Sequence, residues 1–379
     1  WSQAMSTAVA SESTSPVSAA PQPPITVGRE GLRPMFNDLL QRLADRADLT
    51  RDEAASALSQ IVDHSADELQ AAAFLMGLRA KGETAEEIAG LADAMRALAV
   101  PVVTAAPDTL VDIVGTGGDR LGTFNISTTA ALVVAGAGVK VAKHGNRAAS
   151  SLCGAADVLR ALHVRVDLGP AEVVACIESV GIGFMLASIY HPSMSNLAAV
   201  RRSLGIRTVF NFLGPITNPA GAGRMLLGVS AEPYLEVLAG ALAHTGCRHA
   251  LLVCGDRGMD ELSVTGPSTM LEVRDGRVGR RQTVDPVSLG LESHPLEALA
   301  GAGPQQNAVI TRDILAGHLR GGPLDAVLLN AGAALYVGGA APDIAFGIAS
   351  ARDSIDSGRA LQKLEQLASF TNRGLETQA

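Results

Sequence analysis

The chain has 379 residues, 47% hydrophobic and 18% charged, with a formal net charge of −8 and a pI near 5.5. That length allows two domains or one large one, and the balance excludes global disorder. The acidity argues against a nucleic-acid surface, and the apolar runs near 130–139 and 326–341 fall short of the ~20 residues that span a bilayer. Cys153, Cys176, Cys247 and Cys254 form no C-x-x-C pair or zinc spacing. They read as reduced thiols of a cytoplasmic protein, and no secretory signal is legible.

Residues 1–31 are rich in Ser, Ala, Thr and Pro and read as a disordered tail. Met5 is a candidate native start behind Trp1–Ala4. Apolar residues at Phe36, Leu39, Leu40 and Leu43 then open a helical region that runs to Val100. Three capping boxes punctuate it: Thr50 with Glu53, Ser65 with Glu68, and Thr84 with Glu87. Several short helices follow from that pattern, and no strand.

The texture changes at Val111. Apolar runs at Val111–Val114, Val139–Ala142, Ile182–Leu186 and Leu251–Cys254 alternate with helical stretches at Thr128–Ala137, Ala155–Leu162 and Pro170–Val180. This alternation predicts an α/β fold with a central, mostly parallel sheet. Ser193–Ser203 reads as a further helix. Met270–Val273 and Arg277–Gln282 read as a small antiparallel addition. Pro304–Ala316, Pro323–Val337 and Asp343–Phe370 read as closing helices.

Several motifs sit where such a sheet binds ligands. Gly115-Thr-Gly-Gly-Asp119 follows a strand, and its glycines can present backbone N–H groups to an anion. It is neither a Walker loop nor a dinucleotide fingerprint, and alone it is equally an ordinary turn. Thr123–Thr129 precedes a helix, where Ser127 or Thr128 is either a simple N-cap or part of a phosphate site. Lys143, His144, Asn146 and Arg147 crowd the end of the second strand. They are either solvated or suited to a pyrophosphate. Asp260-Glu261 is a surface pair or a Mg²⁺ site. His191-Pro192 leads to Arg201 and Arg202, about 100° apart on a helix; one could meet a planar carboxylate.

In order and spacing, GTGGD (115–119), TFNIST (123–128), KHGNR (143–147), His191-Pro192, VRRSLGIRTVFNFLGPITNP (200–219) and GMDE (258–261) closely resemble the anthranilate phosphoribosyltransferase family. The resemblance covers roughly 32–370. It implies a small helical domain over 32–104, to which about 189–206 returns. It implies a larger α/β domain over 105–188 and 207–379, of the kind shared with nucleoside phosphorylases. The implied reaction moves phosphoribose from 5-phosphoribosyl 1-pyrophosphate to the amine of anthranilate in tryptophan synthesis. Carried over by position, the donor site is Gly115, Gly118, Asp119, Thr123, Asn125, Ile126, Ser127 and Thr128, then Lys143, His144, Gly145, Asn146, Arg147, Ala148, Ala149, Ser150, Ser151 and Ala155. The acceptor site is Gly115, Asn146 and Arg201, with His144 and His191 along the acceptor path. Ser127, Asp260 and Glu261 are the implied ligands of Mg²⁺, two ions per subunit. A homodimer through the helical domain is implied, with no membrane or nucleic-acid partner. No residue is assigned as a general base.

The chain departs from the family pattern in places. Arg120 and Leu121 replace small residues after GTGGD. Ser188 stands where proline is common, and Cys153 and Ala155 stand where serines are common. A paralogue using another aromatic acceptor would carry the same donor motifs. A pyrimidine nucleoside phosphorylase would not carry KHGNR, and a nucleic-acid-binding relative would be basic with eroded Asp260-Glu261.

Overall fold

The computed structural model of the protein describes residues 35–148 and 151–373. The tail expected over 1–31, the candidate start at Met5, and the donor-site positions Ala149 and Ser150 lie outside the described residues.

Four helices come first: α1 (Phe36–Ala44), α2 (Arg51–Val62), α3 (Glu68–Lys81) and α4 (Ala85–Ala97). Thr50 with Glu53 and Thr84 with Glu87 form the expected reciprocal caps of α2 and α4. The middle box differs. Asp67 and Gln70 cap α3, whereas Ser65 lies in the preceding turn, its N–H held by Asp63. A carboxylate at the positive end of a helix outcompetes a hydroxyl two residues upstream.

Next come β1 (Val111–Gly115), α5 (Ile126–Gly136), β2 (Val141–Gly145), α6 (Ala155–Ala161), α7 (Pro170–Ser179) and β3 (Ile182–Leu186). The second strand runs later than the expected Val139–Ala142. It carries Lys143 and His144 inside, both buried, so polar residues that read as loop are strand. After α8 (Ala187–Tyr190), the helix expected from Ser193 is a 3-10 stretch, Pro192–Leu197, followed by α9 (Ala198–Leu204). No expected element corresponds to α10 (Phe210–Ile216), β4 (Arg224–Gly228) or α11 (Leu235–His244). Then come β5 (His249–Cys254), β6 (Ser268–Arg274), β7 (Arg277–Val278), β8 (Gln282–Val284), α12 (Pro304–Leu315) and α13 (Gly322–Val337). The long helix expected over Asp343–Phe370 is two, α14 (Ile344–Asp356) and α15 (Arg359–Thr371). Gly358, at φ 76, turns the chain between them.

Among the described residues, eight strands form one sheet in the order β3-β2-β1-β4-β5-β6-β7, with β8 paired to β6. The pairs from β3 to β5 are parallel and the β5–β8 edge is antiparallel. The chain steps outward from β1 to β3, then returns to the other side of β1 as β4. This reversal is a topological switch, and it opens a crevice beyond the carboxyl ends of β1 and β4.

One apolar cluster fills the sheet face under α5 and α13, around Ile113, Leu132 and Leu328. A second lies on the opposite face of β4–β6. It runs from Leu227 and Leu252 through α11 to Leu91, Leu75 and Leu39 of the helical bundle. Leu197 and Val200 belong to this second cluster, so the segment after α8 packs with the bundle. No helix among the described residues is long and apolar enough to cross a membrane.

The corrected cap gives a stability test. Asp67→Ala should cost ~1 kcal/mol, read as a lower urea midpoint, while Ser65→Ala should leave the midpoint unchanged. The opposite ranking would return the cap to Ser65.

Candidate active site

The crevice is built on a contact that only glycine permits. In the β1–β4 register, Gly115 stands opposite Gly228, and Asp260, from the loop after β5, lies over both. A Cβ on Gly115 would fall 2.1 Å from Asp260 Oδ2, and one on Gly228 would fall 1.7 Å from the Asp260 carbonyl oxygen. Beyond Gly115 the turn passes through Gly117 and Gly118 at φ 69 and 79. The Gly117 N–H donates to Asp260 Oδ2 at 2.6 Å. Positive φ at successive glycines is a turn that other residues adopt only under strain, and such a turn can present backbone N–H groups to an anion.

Acidic charge is concentrated beside that nest. Burial, then repulsion from Asp119, pushes the Asp260 carboxyl up to about 7. Burial, then Asp260, pushes Glu261 up to about 8, against the pull of Lys143 and the Ser127 N–H. Asp119 and Asp260 also repel Glu261, so the three carboxyls sense one another. They are hard oxygen donors. Among the described residues, no cluster of three or more His, Cys, Asp and Glu side chains could hold a metal by itself. Mg²⁺ takes one or two carboxylates and completes its shell with phosphate oxygens and water.

The end of β2 supplies the opposing charge. Lys143 is no solvated loop cation. It is 3% exposed, and its Nζ donates to Ile113 O at 2.5 Å, with Ser127 Oγ 3.5 Å away. Burial lowers its pKa, opposed by Asp112 and Glu261. Asp112 is fully buried on β1 and is pushed up to about 6 by burial, against the pull of Lys143 and Asn218. Asn218 Nδ2 donates to Asp112 Oδ2 at 2.7 Å and to Ala142 O at 2.8 Å.

His144 and His191 are both buried, with ring centroids 5.1 Å apart. His144 Nδ1 lies 3.0 Å from Gly214 O, and His191 Nε2 lies 3.1 Å from Thr217 O. A carbonyl only accepts, so those nitrogens carry the protons. The other two, His144 Nε2 and His191 Nδ1, are bare acceptors without a partner. Burial, then His191, pushes His144 down to about 3, and burial also lowers His191. Both rings are therefore neutral at pH 7.

The remaining expected residues divide by environment. Asn146, Arg147 and Ser151 are exposed, and Gly145 and Ala148 are half-buried. Asp157 Oδ2 accepts from both Ala148 N and Gly154 N at 2.9 Å, closing the loop on itself. Cys153 acts through its backbone, since its carbonyl accepts from Asn125 Nδ2 at 3.2 Å. Asn125 Oδ1 in turn accepts from the buried Asn307 of α12 at 2.9 Å. Ala155 opens α6, and a Cβ on Gly145 would sit 3.2 Å from its methyl. Thr123 pairs with Ala300 in an isolated bridge. Ile126 and Thr128 are buried, and Thr128 Oγ1 has no partner. Arg201 and Arg202 are exposed, with the Arg201 guanidinium 5.8 Å from the centre of the Phe210 ring. Arg120 is exposed at φ 61, and Ser188 is exposed on α8. Sequence reasoning missed Asp112, Arg207, Asn218, Ser230 and Asn307. The signals were a charge within an apolar strand run at Asp112 and the family motif over 200–219, which contains Arg207 and Asn218. The 330 Å³ cavity lined by Glu272, Tyr336 and Asp343 shares none of these residues.

Comparison with known proteins adds a family context. Residues 37–99 match a glycosyl transferase family helical bundle domain, and residues 107–361 match a glycosyl transferase family a/b domain. The chain is 52% identical over 332 residues to anthranilate phosphoribosyltransferase of Chloroflexus aggregans, covering 88% of this chain and 97% of that one. It is similar to the crystal structure of the Thermus thermophilus enzyme of that name (TM-score 0.84, 43% identity, 88% of this chain, 99% of that one). It is also similar to the Saccharomyces cerevisiae enzyme in complex with PRPP and Mg (TM-score 0.82, 29% identity, 89% of this chain, 98% of that one).

The raised carboxyls fix a pH dependence. Asp260 and Glu261 bind protons more tightly in the folded chain than at their ordinary values of 3.8 and 4.5. Their contribution to stability is therefore full below about pH 4 and is lost as the pH rises towards about 8. In chelator, the Tm of the parent should fall more steeply from pH 5 to pH 8 than that of Asp260→Asn/Glu261→Gln. Parallel curves would remove the carboxyls from this role.

Proposed function

Since the chain belongs to the anthranilate phosphoribosyltransferase family, and so transfers phosphoribose from 5-phosphoribosyl 1-pyrophosphate to the amine of anthranilate in tryptophan biosynthesis, we propose that the crevice between β1 and β4 is where it does so. One observation carries the assignment: an anion nest at 115–119 and an acidic cluster share a single contact, Gly117 N–H to Asp260. A donor that is both polyanionic and magnesium-bound needs the two side by side.

In this reading the donor lies along Gly115, Gly118, Asp119, Thr123, Asn125–Thr128 and the loop from Lys143 to Ala155. Ser127, Asp260 and Glu261 would hold Mg²⁺, two ions per subunit in this reading. The metal's chemistry is to neutralise charge as pyrophosphate departs. The protein's own groups do the rest. Lys143 stands beside Ser127 and within reach of Glu261, where its ammonium form would oppose the charge of the leaving pyrophosphate. The N–H groups of the turn that Asp260 does not take would stabilise negative charge growing on the leaving group. The bond from the anomeric carbon to pyrophosphate breaks, the bond to the amine nitrogen forms, and the nitrogen then loses a proton. An arylamine is already neutral at pH 7, so no base is needed before attack, and none is assigned. His144 and His191 stand on the acceptor path as neutral hydrogen-bond acceptors. Arg201 meets the anthranilate carboxylate, with Gly115 and Asn146 flanking the ring.

The domain division at 32–104 with 189–206, against 105–188 with 207–379, belongs to the same reading. It is supported by Leu197 and Val200 packing in the bundle's cluster. So does a homodimer through the bundle, where Leu69 and Met76, two helical turns apart on α3, are 81% and 39% exposed. A cytoplasmic location completes the reading.

Two measurements test the site. Asp260→Asn/Glu261→Gln should lower turnover about 10²–10³-fold and shift the magnesium requirement upward; turnover unchanged across a magnesium titration would remove both residues. Arg201→Ala should raise the anthranilate KM about tenfold or more, with little change for the donor. Equal effects on both substrates would contradict its role.

A further inference from the structure

Arg207 has no part in the site as drawn above, yet it touches the donor turn directly. It lies in the loop between α9 and α10, six residues after Arg201. Its Nη2 donates to the Gly117 carbonyl and its Nη1 to Ser230 Oγ, both at 2.7 Å. Ser230 Oγ donates to the same Gly117 carbonyl at 2.9 Å, and the Ser230 N–H donates to Thr116 Oγ1 at 3.2 Å. The guanidinium lies against the turn so closely that a Cβ on Gly118 would sit 3.2 Å from its Cζ. Asp119, Asp260, Arg120 and Arg79 all lie within its electrostatic reach.

The Gly117 residue is thus gripped from both sides. Asp260 takes its N–H, while Arg207 and Ser230 give hydrogens to its carbonyl. A charge-assisted bond to a peptide carbonyl is about twice as strong as a neutral one. It also polarises the backbone around it, strengthening the neighbouring N–H groups as donors. A two-glycine turn has the largest conformational freedom to lose, so something must hold it in the nest geometry.

We propose that Arg207 is a positioning residue that clamps the donor turn in its anion-binding shape and ties it to the segment carrying Arg201. This rests on the reading of 115–119 as the donor turn. The segment before Arg207 packs with the bundle through Leu197 and Val200. The clamp therefore joins the helical side of the crevice to the donor side, and donor affinity depends on a residue delivered from the acceptor side.

The test uses the full-length protein, with 5-phosphoribosyl 1-pyrophosphate and Mg²⁺ as the calorimetric probe and the KM for each substrate measured alongside. The variants are Arg207→Gln, Arg207→Lys, Ser230→Ala and the Arg207→Gln/Ser230→Ala pair, with Asp119→Asn as a control on the site. Arg207→Gln should weaken donor binding about 10- to 100-fold, with Arg207→Lys in between because it keeps the charge and one bond. Ser230→Ala should matter less in the Arg207→Gln background than alone, since both residues act on one carbonyl. The anthranilate KM should change by less than about threefold, because the clamp acts on how the donor is bound. Donor binding unchanged in Arg207→Gln, with Asp119→Asn impaired, would overturn the proposal. So would parallel rises in both KM values with a fall in Tm, the mark of a merely structural arginine. Donor binding unchanged in Asp119→Asn as well would bring down the donor-turn reading and this inference with it.

Discussion

The site depends on where Asp260 can stand. Its carboxylate lies over Gly115 at the end of β1 and its main-chain carbonyl over Gly228 at the end of β4, where a side chain on either strand would collide with it. From there one oxygen receives the Gly117 N–H, so the acid and the anion-binding turn hold each other in place. The strand order matters to this as much as the glycines do. Only where β1 and β4 are neighbours, with their crossovers leaving in opposite directions, is the space above their ends free for a loop from β5 to enter.

The electrostatics follow from that placement. Asp119, Asp260 and Glu261 are half-buried and within electrostatic reach of one another, and desolvation with mutual repulsion raises the carboxyls of Asp260 and Glu261. Lys143 is the nearest balance, but it is shared with Asp112 and anchored on a backbone carbonyl. Raised carboxyls of this kind are hard oxygen donors for which a divalent ion competes with protons. The rest of the crevice is arranged for restraint. Carbonyls fix the tautomers of His144 and His191, Asn307 orients Asn125, and Asp157 ties Ala148 to Gly154 after β2. Each of these contacts limits motion of a group lining the crevice, and restraint of that kind is how positioning and preorganised charge contribute to rate.

Much of this was legible in the residues. The bundle came from apolar periodicity and two true capping boxes, and the α/β character came from apolar runs alternating with helical ones. The family motifs named the strand ends where charge gathers. What stayed hidden had physical reasons. β4 is five residues of Arg-Met-Leu-Leu-Gly beside a glycine-rich stretch, too short and too little alternating to stand out, and without it the topological switch could not be placed. β2 looked shorter because Lys143 and His144 are polar residues in a buried strand. The break at Gly358 was hidden inside one continuous helical pattern. Arg207, Ser230 and Asn307 reach partners 90 to 182 residues away in sequence, and local spacing carries no trace of such pairings.

On this account the crevice holds protonated carboxyls until a magnesium-bound donor displaces their protons. Calorimetry in two buffers of different ionisation enthalpy, at pH 7, reads that exchange directly. Magnesium with 5-phosphoribosyl 1-pyrophosphate should release about one proton more per site from the parent protein than from Asp260→Asn/Glu261→Gln, because metal ligands must be deprotonated to bind. Equal proton release from the two proteins, with donor binding intact in both, would contradict the account.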